Sequence, residues 1–271
     1  MGCLYIVPTP IGNLKDITLR ALDVLNNVDI IACENTKHSQ ILLNHYNIKT
    51  RTISYHKFNE NIGQNKIVKL LQEGKNVALI SDAGMPLISD PGYVLVKELE
   101  KNNIPFTVLP GASASVCAMV MSGFDTQQFL FYGFLKGKLS EKIEALTKIK
   151  NINTPIIFYI APHDLEKDLK LIFSVFGKRS SKIINEISKI YEKNIPFILG
   201  EKISFEPRGE YVVVVDGELQ ENILNNLSIE QHINHYIEMG LEKKEAIKLV
   251  AKDRNVAKNE IYQQSVILQK M

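Results

Sequence analysis

The chain has 271 residues, 45% of them hydrophobic and 23% charged, with 32 Lys and Arg against 30 Asp and Glu for a net charge of +2. That balance supports a packed core, excludes general disorder, and supplies no bulk field for nucleic acid or a membrane surface. No apolar run reaches the roughly 18 residues of a membrane span, and the run at residues 4–7 is too short for a secretion signal. Cys3, Cys33 and Cys117 stand singly in apolar surroundings, which is read as buried thiols in a reducing cytoplasm and not as a disulfide frame or zinc site.

In chain order, residues 3–7 read as a buried strand and residues 8–13 as a turn. A helix is expected over 18–26, with Thr18 as N-cap and Leu19, Leu22 and Leu25 as its apolar stripe. A strand follows at 29–33, a helix at 36–46 and a short strand at 51–54. Residues 59–72 form an amphipathic helix stopped by Gly74. Then come a strand at 76–80, a helix at 92–102, a strand at 104–109 and a helix at 114–121. Residues 123–128 read as a linker. Beyond it, strands are expected at 129–134, 155–160, 181–187 and 210–216, and helices at 140–150 and 164–176. Three short amphipathic helices, 229–239, 243–253 and 258–269, end the chain, and the last two have helix-turn-helix spacing. The expected organisation is an N-terminal α/β domain (1–123), a C-terminal α/β domain with a mixed sheet (124–220) and a helical tail (221–271).

Strands that alternate with helices imply a mostly parallel sheet covered on both faces, and such sheets bind ligands at the carboxyl ends of their strands. Three loops at those ends are rich in Gly, Pro and small residues: 8–13, 81–86 and 110–114. Small side chains leave room for a ligand to meet loop backbone. Asp82 is the acid inside the central loop. It would meet a ribose hydroxyl or an ammonium group, or else cap a turn.

Several chemistries have no motif here. There is no P-loop, no G-x-G-x-x-G after the first strand, no H-E-x-x-H and no G-x-S-x-G elbow. No Cys/His spacing implies a metal. His232 and His235 are expected on a solvated helix face. Lys136, Lys138, Lys142, Lys148 and Lys150 outnumber Glu141 and Glu144 locally. That excess would contact phosphates or form another solvated face.

Four stretches of the first half carry a resemblance: LYIVPTPIGNLKDITLRAL, SYHKFNE, ALISDAGMPLISDPGY and PGASA. It continues through FLFYGFL, IIFYIAPHDL, INEISKIYE and RGEYVVVV, and the tail segment EAIKLVAKDRNVAKNEIYQ is similar to a small terminal helix-turn-helix. Together these resemble the bacterial ribosomal small-subunit RNA cytidine 2′-O-methyltransferases of the tetrapyrrole methylase superfamily. The chain departs from that pattern at several positions. After the second strand it reads Glu34, Asn35, Thr36, Lys37, with Asn for an Asp and Lys for an Arg. Met85 stands for Thr, Ala112 for Pro, Ile160 and Ala161 for Glu and Ser, and Asn185 for Arg.

The resemblance implies two α/β domains with S-adenosylmethionine in the cleft between them, and a small helical C-terminal segment. It carries cofactor binding onto Ile11, Gly12, Ile80, Ser81, Asp82, Met85, Ser113, Ala114, Ile160 and Ile187, with no metal. The implied reaction moves a methyl group to a cytidine ribose 2′-oxygen in the decoding region of 16S RNA. The implied partners are the small ribosomal subunit and a second copy of the chain, with no membrane. A 2′-hydroxyl is a poor nucleophile until its proton is drawn away. Glu34, His56, Asp90, Glu186 and Lys189 are the candidates, with Glu186 and Lys189 preferred because their motif is expected to face the cleft. Asp90 is expected instead to cap the next helix. Two other readings remain: a methylase of a corrinoid precursor, and a non-catalytic RNA-binding or assembly protein on the same fold.

Overall fold

The structure is a computed structural model that describes residues 1–56, 60–203, 209–217, 227–254 and 256–267. Its first sheet takes Leu4–Ile6 (β1), Ile30–Cys33 (β2), Thr52–Ser54 (β3), Val77–Ile80 (β4) and Phe106–Val108 (β5), all parallel, in the order β3-β2-β4-β1-β5. Leu19–Asn27 (α1), Thr36–His45 (α2), Glu60–Gln72 (α3) and Tyr93–Lys101 (α4) make the crossovers. β4 is buried along its whole length, as a central parallel strand covered on both faces must be. Its side chains alternate: Val77 and Leu79 meet Ile67 and Leu71 of α3 and Leu95 and Leu99 of α4, while Ala78 and Ile80 meet Leu25 of α1 and Leu43 of α2.

The helix ends follow local chemistry. The Thr18 hydroxyl accepts from Ala21 N at 3.0 Å, as the sequence predicts. The predicted stripe on α1 is shifted, however. Leu19 is 81% exposed, and Ala21 and Leu25 are the buried pair. Steps of three residues drift around a helix of 3.6 per turn, so Leu19 and Leu25 cannot share one face. Asn35 caps α2, its side-chain oxygen accepting from Lys37 N and His38 N. An Asn serves that role as well as an Asp. Asp90 is not a helix cap: α4 starts at Tyr93 with Gly92 before it.

The second sheet is mixed, in the order β6-β7-β10-β8-β9, from Leu130–Phe134 (β6), Ile156–Ile160 (β7), Ser180–Asn185 (β8), Lys193–Ile198 (β9) and Tyr211–Val215 (β10). β6 and β7 are parallel and the other pairs antiparallel. β8 ends at Asn185, short of the expected 187, because Glu186 and Ser188 take φ of 56° and 67°. β9 was not expected. It is an edge strand that contains Pro196 and is exposed over much of its length, so no alternation of apolar and polar residues marks it.

One face of this sheet packs on Leu139–Ile149 (α6) and Leu165–Phe176 (α7), through Leu146, Leu165, Ile172 and Phe176 against Phe158, Ile183 and Val213. The other face packs on Ala114–Ser122 (α5), where Ala118 and Met119 meet Ile157, Ile184, Val212 and Val214. α5 thus leaves the last strand of the first sheet and docks on the second, and residues 1–217 form one compact unit. Lys142 is neither a phosphate contact nor a solvated residue. It is buried on α6 and its Nζ lies 2.8 Å from Asp168 Oδ1. Lys148 is taken by Glu144 at 2.7 Å.

Residues 218–271 form a separate unit. Its helices are Ile229–Glu238 (α8), Lys243–Asp253 (α9) and Lys258–Ile267 (α10), around Ile233, Ala246, Ile247, Val250 and Ile261. His232 is fully buried, not solvated: Asp253 and Arg254 of the next helix and its end come round to face it. The expected boundary at 220 and the helix ends expected at 59 and 269 lie outside the described residues.

Candidate active site

β1 hands the chain to α1 on one face of the first sheet, and the adjacent β4 hands it to α4 on the other. A crevice opens where neighbouring strands diverge in this way, at their carboxyl ends. The two loops there are tied together by Thr9 N to Gly84 O at 2.9 Å and Gly84 N to Thr9 O at 3.0 Å. Ser81 braces the same loop, its hydroxyl donating to Gly84 O at 3.0 Å and its carbonyl accepting from Thr9 Oγ1 at 3.1 Å.

Above these loops lies a cleft of about 390 Å³, within the range of about 300–1,000 Å³ typical of small-molecule sites. Of the residues expected at the cofactor, Ile11, Asp82, Met85, Ser113, Ala114, Ile160 and Ile187 line it. Gly12, Ile80 and Ser81 do not. Ile80 is core, Ser81 is a buried brace, and Gly12 makes room: a β-carbon there would lie 2.5 Å from Ile187 O. The loop of the first sheet passes directly under the loop that follows β8.

Glu186 and Lys189 both reach the cleft wall and are bonded to each other, Lys189 Nζ to Glu186 Oε1 at 2.8 Å. Asn185, where the pattern has Arg, is buried and donates to Glu210 O at 3.0 Å, which ties β8 to the entry of β10 beside the cleft. Gly84 has φ of 78°, and a β-carbon there would press on Ile11 at 3.2 Å, so backbone fills the floor of the cleft.

Sequence reasoning missed Glu210, Tyr159, Phe134 and Tyr211 at this site. They lie on strands of the second sheet, and only the docking of α5 brings those strands over the first. Tyr159 Oη accepts from Ser115 N at 3.0 Å and thereby caps α5, while its ring packs edge-on to Phe131 and Phe134. Burial raises its phenol pKa.

The cleft is acid-lined. Glu34, Asp82, Asp90, Glu186 and Glu210 border it, with Lys189 as the ammonium among its lining residues. Burial first, and then the charges of Glu34, Asp82 and Glu210, push Asp90 up to about 7. Glu34 is also raised, by burial and by Asp82, against a lowering effect of His56. Such a lining favours a cation and repels polyphosphate. S-adenosylmethionine fits on these grounds, since it carries a sulfonium and an ammonium, and the small residues of 82–84 and 113–114 leave backbone within its reach. Among the described residues, no group of three His, Cys, Asp or Glu is arranged for a metal, and no helix is long and apolar enough to cross a membrane.

The family model described as Tetrapyrrole (Corrin/Porphyrin) Methylases matches residues 3–218. Among curated proteins, the chain is 42% identical to the Ribosomal RNA small subunit methyltransferase I of Bacillus subtilis (strain 168), over 97% of this chain and 93% of that protein. It is 38% identical to the protein of the same name from Buchnera aphidicola subsp. Schizaphis graminum, over 98% and 96%. Among solved structures it is similar in fold to a diphthine synthase, with a TM-score of 0.63 and 14% identity over 79% of this chain and 90% of that one. A uroporphyrin-III C-methyltransferase from Thermus thermophilus, complexed with S-adenosylhomocysteine, gives a TM-score of 0.57 and 14% identity over 80% and 98%.

Proposed function

Because the chain belongs to the tetrapyrrole methylase family, in the branch of the ribosomal RNA small subunit methyltransferase I proteins, we propose that it methylates ribosomal RNA of the small subunit with S-adenosylmethionine. The acceptor in this proposal is the ribose 2′-oxygen of a cytidine in the decoding region of 16S RNA. The observation that carries the reading is the acid-lined cleft of about 390 Å³ where the strands of the first sheet end.

Ile11, Asp82, Met85, Ser113, Ala114, Ile160 and Ile187 would hold the cofactor, with Ser81 and Gly12 shaping the loops that present them. When bound, the cofactor supplies an electrophilic methyl group on a positive sulfur, and it leaves as a neutral thioether. The carboxylates around the cleft favour the charged ground state. Rate enhancement must therefore come mainly from positioning the acceptor oxygen against the methyl carbon and from removal of the hydroxyl proton. Glu186 and Lys189, in the loop after β8, are the proposed catalytic pair, acting by orientation of the acceptor. Their ion pair fixes an ammonium at the cleft wall, where it can orient the acceptor sugar through an adjoining phosphate.

The enzyme is proposed to work in the cytoplasm as a homodimer. Val116 and Val120, 51% and 68% exposed, share one face of α5, and Val108 is 47% exposed on the edge strand β5. This apolar surface suits a second copy. The test of function mixes the protein with labelled S-adenosylmethionine and small subunits lacking the modification, then maps the labelled nucleotide. Label on a 2′-oxygen of a decoding-region cytidine supports the proposal. Cofactor binding with no label in the RNA overturns it.

A further inference from the structure

A second opening adjoins the cleft. It is an open groove of about 460 Å³ bordered by Asn35, Thr36 and Lys37 at the start of α2 and by Ser54 and His56 past β3. Glu34 and Asp82 border both the groove and the cleft. The strand order explains the arrangement. β3, β2 and β4 deliver the groove, β4, β1 and β5 deliver the floor of the cleft, and Glu34 stands at the end of β2 where the two meet. Asp82 Oδ1 accepts from Asn35 N at 3.3 Å, so the shared wall is held from both loops.

The linings differ in chemistry. The cleft is acidic and suits a cation. The groove shares Glu34 and Asp82 along one wall and adds an amide, two hydroxyls, an imidazole and the exposed Lys37. Such a mixture suits a nucleoside with its phosphate: polar groups read base and sugar edges, and the ammonium meets the phosphodiester. The groove is open, as entry by an unstacked nucleotide of a long RNA requires.

We propose that this groove seats the acceptor nucleotide, and that the Glu34 carboxylate takes the proton of its ribose 2′-hydroxyl during transfer. The inference rests on the methyltransferase reading above. As the bond from the 2′-oxygen to the methyl carbon forms and the sulfur–methyl bond breaks, the O–H electron pair stays on oxygen. The proton passes to a Glu34 oxygen, and the sulfur keeps the other pair and becomes neutral. Burial and the neighbouring Asp82 make Glu34 a stronger base than an exposed glutamate. Glu186, already bonded to Lys189, is left to positioning.

Glu34→Gln, Lys37→Ala and Ser54→Ala are compared with the wild type in cofactor affinity by calorimetry, in subunit binding without turnover, and in kcat and KM on unmodified small subunits. Glu34→Gln is expected to lower kcat by about 100-fold or more, with a far smaller loss of cofactor affinity, about fivefold at most for one carboxylate of an open lining, and subunit binding kept. Lys37→Ala and Ser54→Ala are expected to weaken subunit binding and raise KM by about five- to tenfold, again without a change in cofactor affinity. Near-normal kcat in Glu34→Gln overturns the assignment of the proton, and loss of cofactor affinity in the two groove variants overturns the assignment of the groove. If the wild type binds cofactor and leaves the subunits unlabelled, the function itself fails and this inference falls with it.

Discussion

A β-carbon on Gly12 would sit 2.5 Å from the carbonyl oxygen of Ile187 and 2.7 Å from Lys189 Cγ. The contact joins loops from two different sheets, and Asp16 and Ser188 hydrogen-bond across the same seam. Gly12→Ala must push them apart. We expect a loss of cofactor affinity of about tenfold or more, with a modest loss of stability on the order of 1–3 kcal/mol. Calorimetric titration and thermal melting measure the two. Unchanged cofactor affinity would show that the seam does not shape the cleft.

Asp90 is an ordinary carboxyl made weakly acidic first by burial and then by its place beside Glu34, Asp82 and Glu210. A carboxyl raised in the fold from 3.8 to about 7 holds its proton where the unfolded chain has lost it, so stability falls as pH rises through that window. Full linkage would amount to roughly 4 kcal/mol, and solvent in an open cleft reduces this to on the order of 1–2 kcal/mol. Asp90→Asn should therefore stabilise the cofactor-free protein at pH 8 and do little at pH 4. A cation in the cleft opposes the raised value, so cofactor binding should release protons near pH 7. That release appears as a binding heat that varies with the ionisation enthalpy of the buffer, and it should vanish in Asp90→Asn.

Lys142 and Asp168 form an ion pair with side chains 11% and 5% exposed between α6 and α7. Removing one partner strands the other. Lys142→Ala is expected to cost about 3–5 kcal/mol, while the apolar double change Lys142→Met with Asp168→Leu should lie close to wild type. Urea melts decide. A Lys142→Ala cost below about 1 kcal/mol would mean that the carboxylate finds water.

The helical unit at the end of the chain carries its own pH response. Arg254 Nε donates to His232 Nδ1 at 3.3 Å, which leaves Nε2 to donate to Asp253 Oδ2 at 3.1 Å. Burial lowers the His232 pKa, Arg254 and His235 lower it further, and Asp253 opposes them. Tyr236 stacks on the ring and donates to the same Asp253 oxygen. A depressed histidine stabilises the fold above the unfolded value of about 6.5, and that stability is lost as pH falls below it. Hydrogen exchange in α8 and α9 should quicken between pH 7.5 and 5.5, and His232→Gln should flatten the dependence. Equal protection at both pH values, after correction for intrinsic exchange, would refute it.

Most elements, the edge strand β9 excepted, and the loops that floor the cleft were legible in the sequence, because those signals are local. Thr18 caps its helix through a bond three residues away. The unbroken apolar run of β4 marks a strand covered on both faces, and loops rich in small residues sit where parallel strands end. The tertiary structure alone decided which polar groups are buried and which loops meet. Lys142 and Asp168 lie 26 residues apart, and His232 and Asp253 lie 21 apart. Lys142 and His232 were legible only as surface until those partners were placed. Glu210 and Tyr159 reach the cleft because α5 docks one sheet over the other, and Asp90 is unusual because it is buried there and three carboxylates converge on it. Burial and charge coupling are sums over neighbours in space, and no window of sequence contains those neighbours.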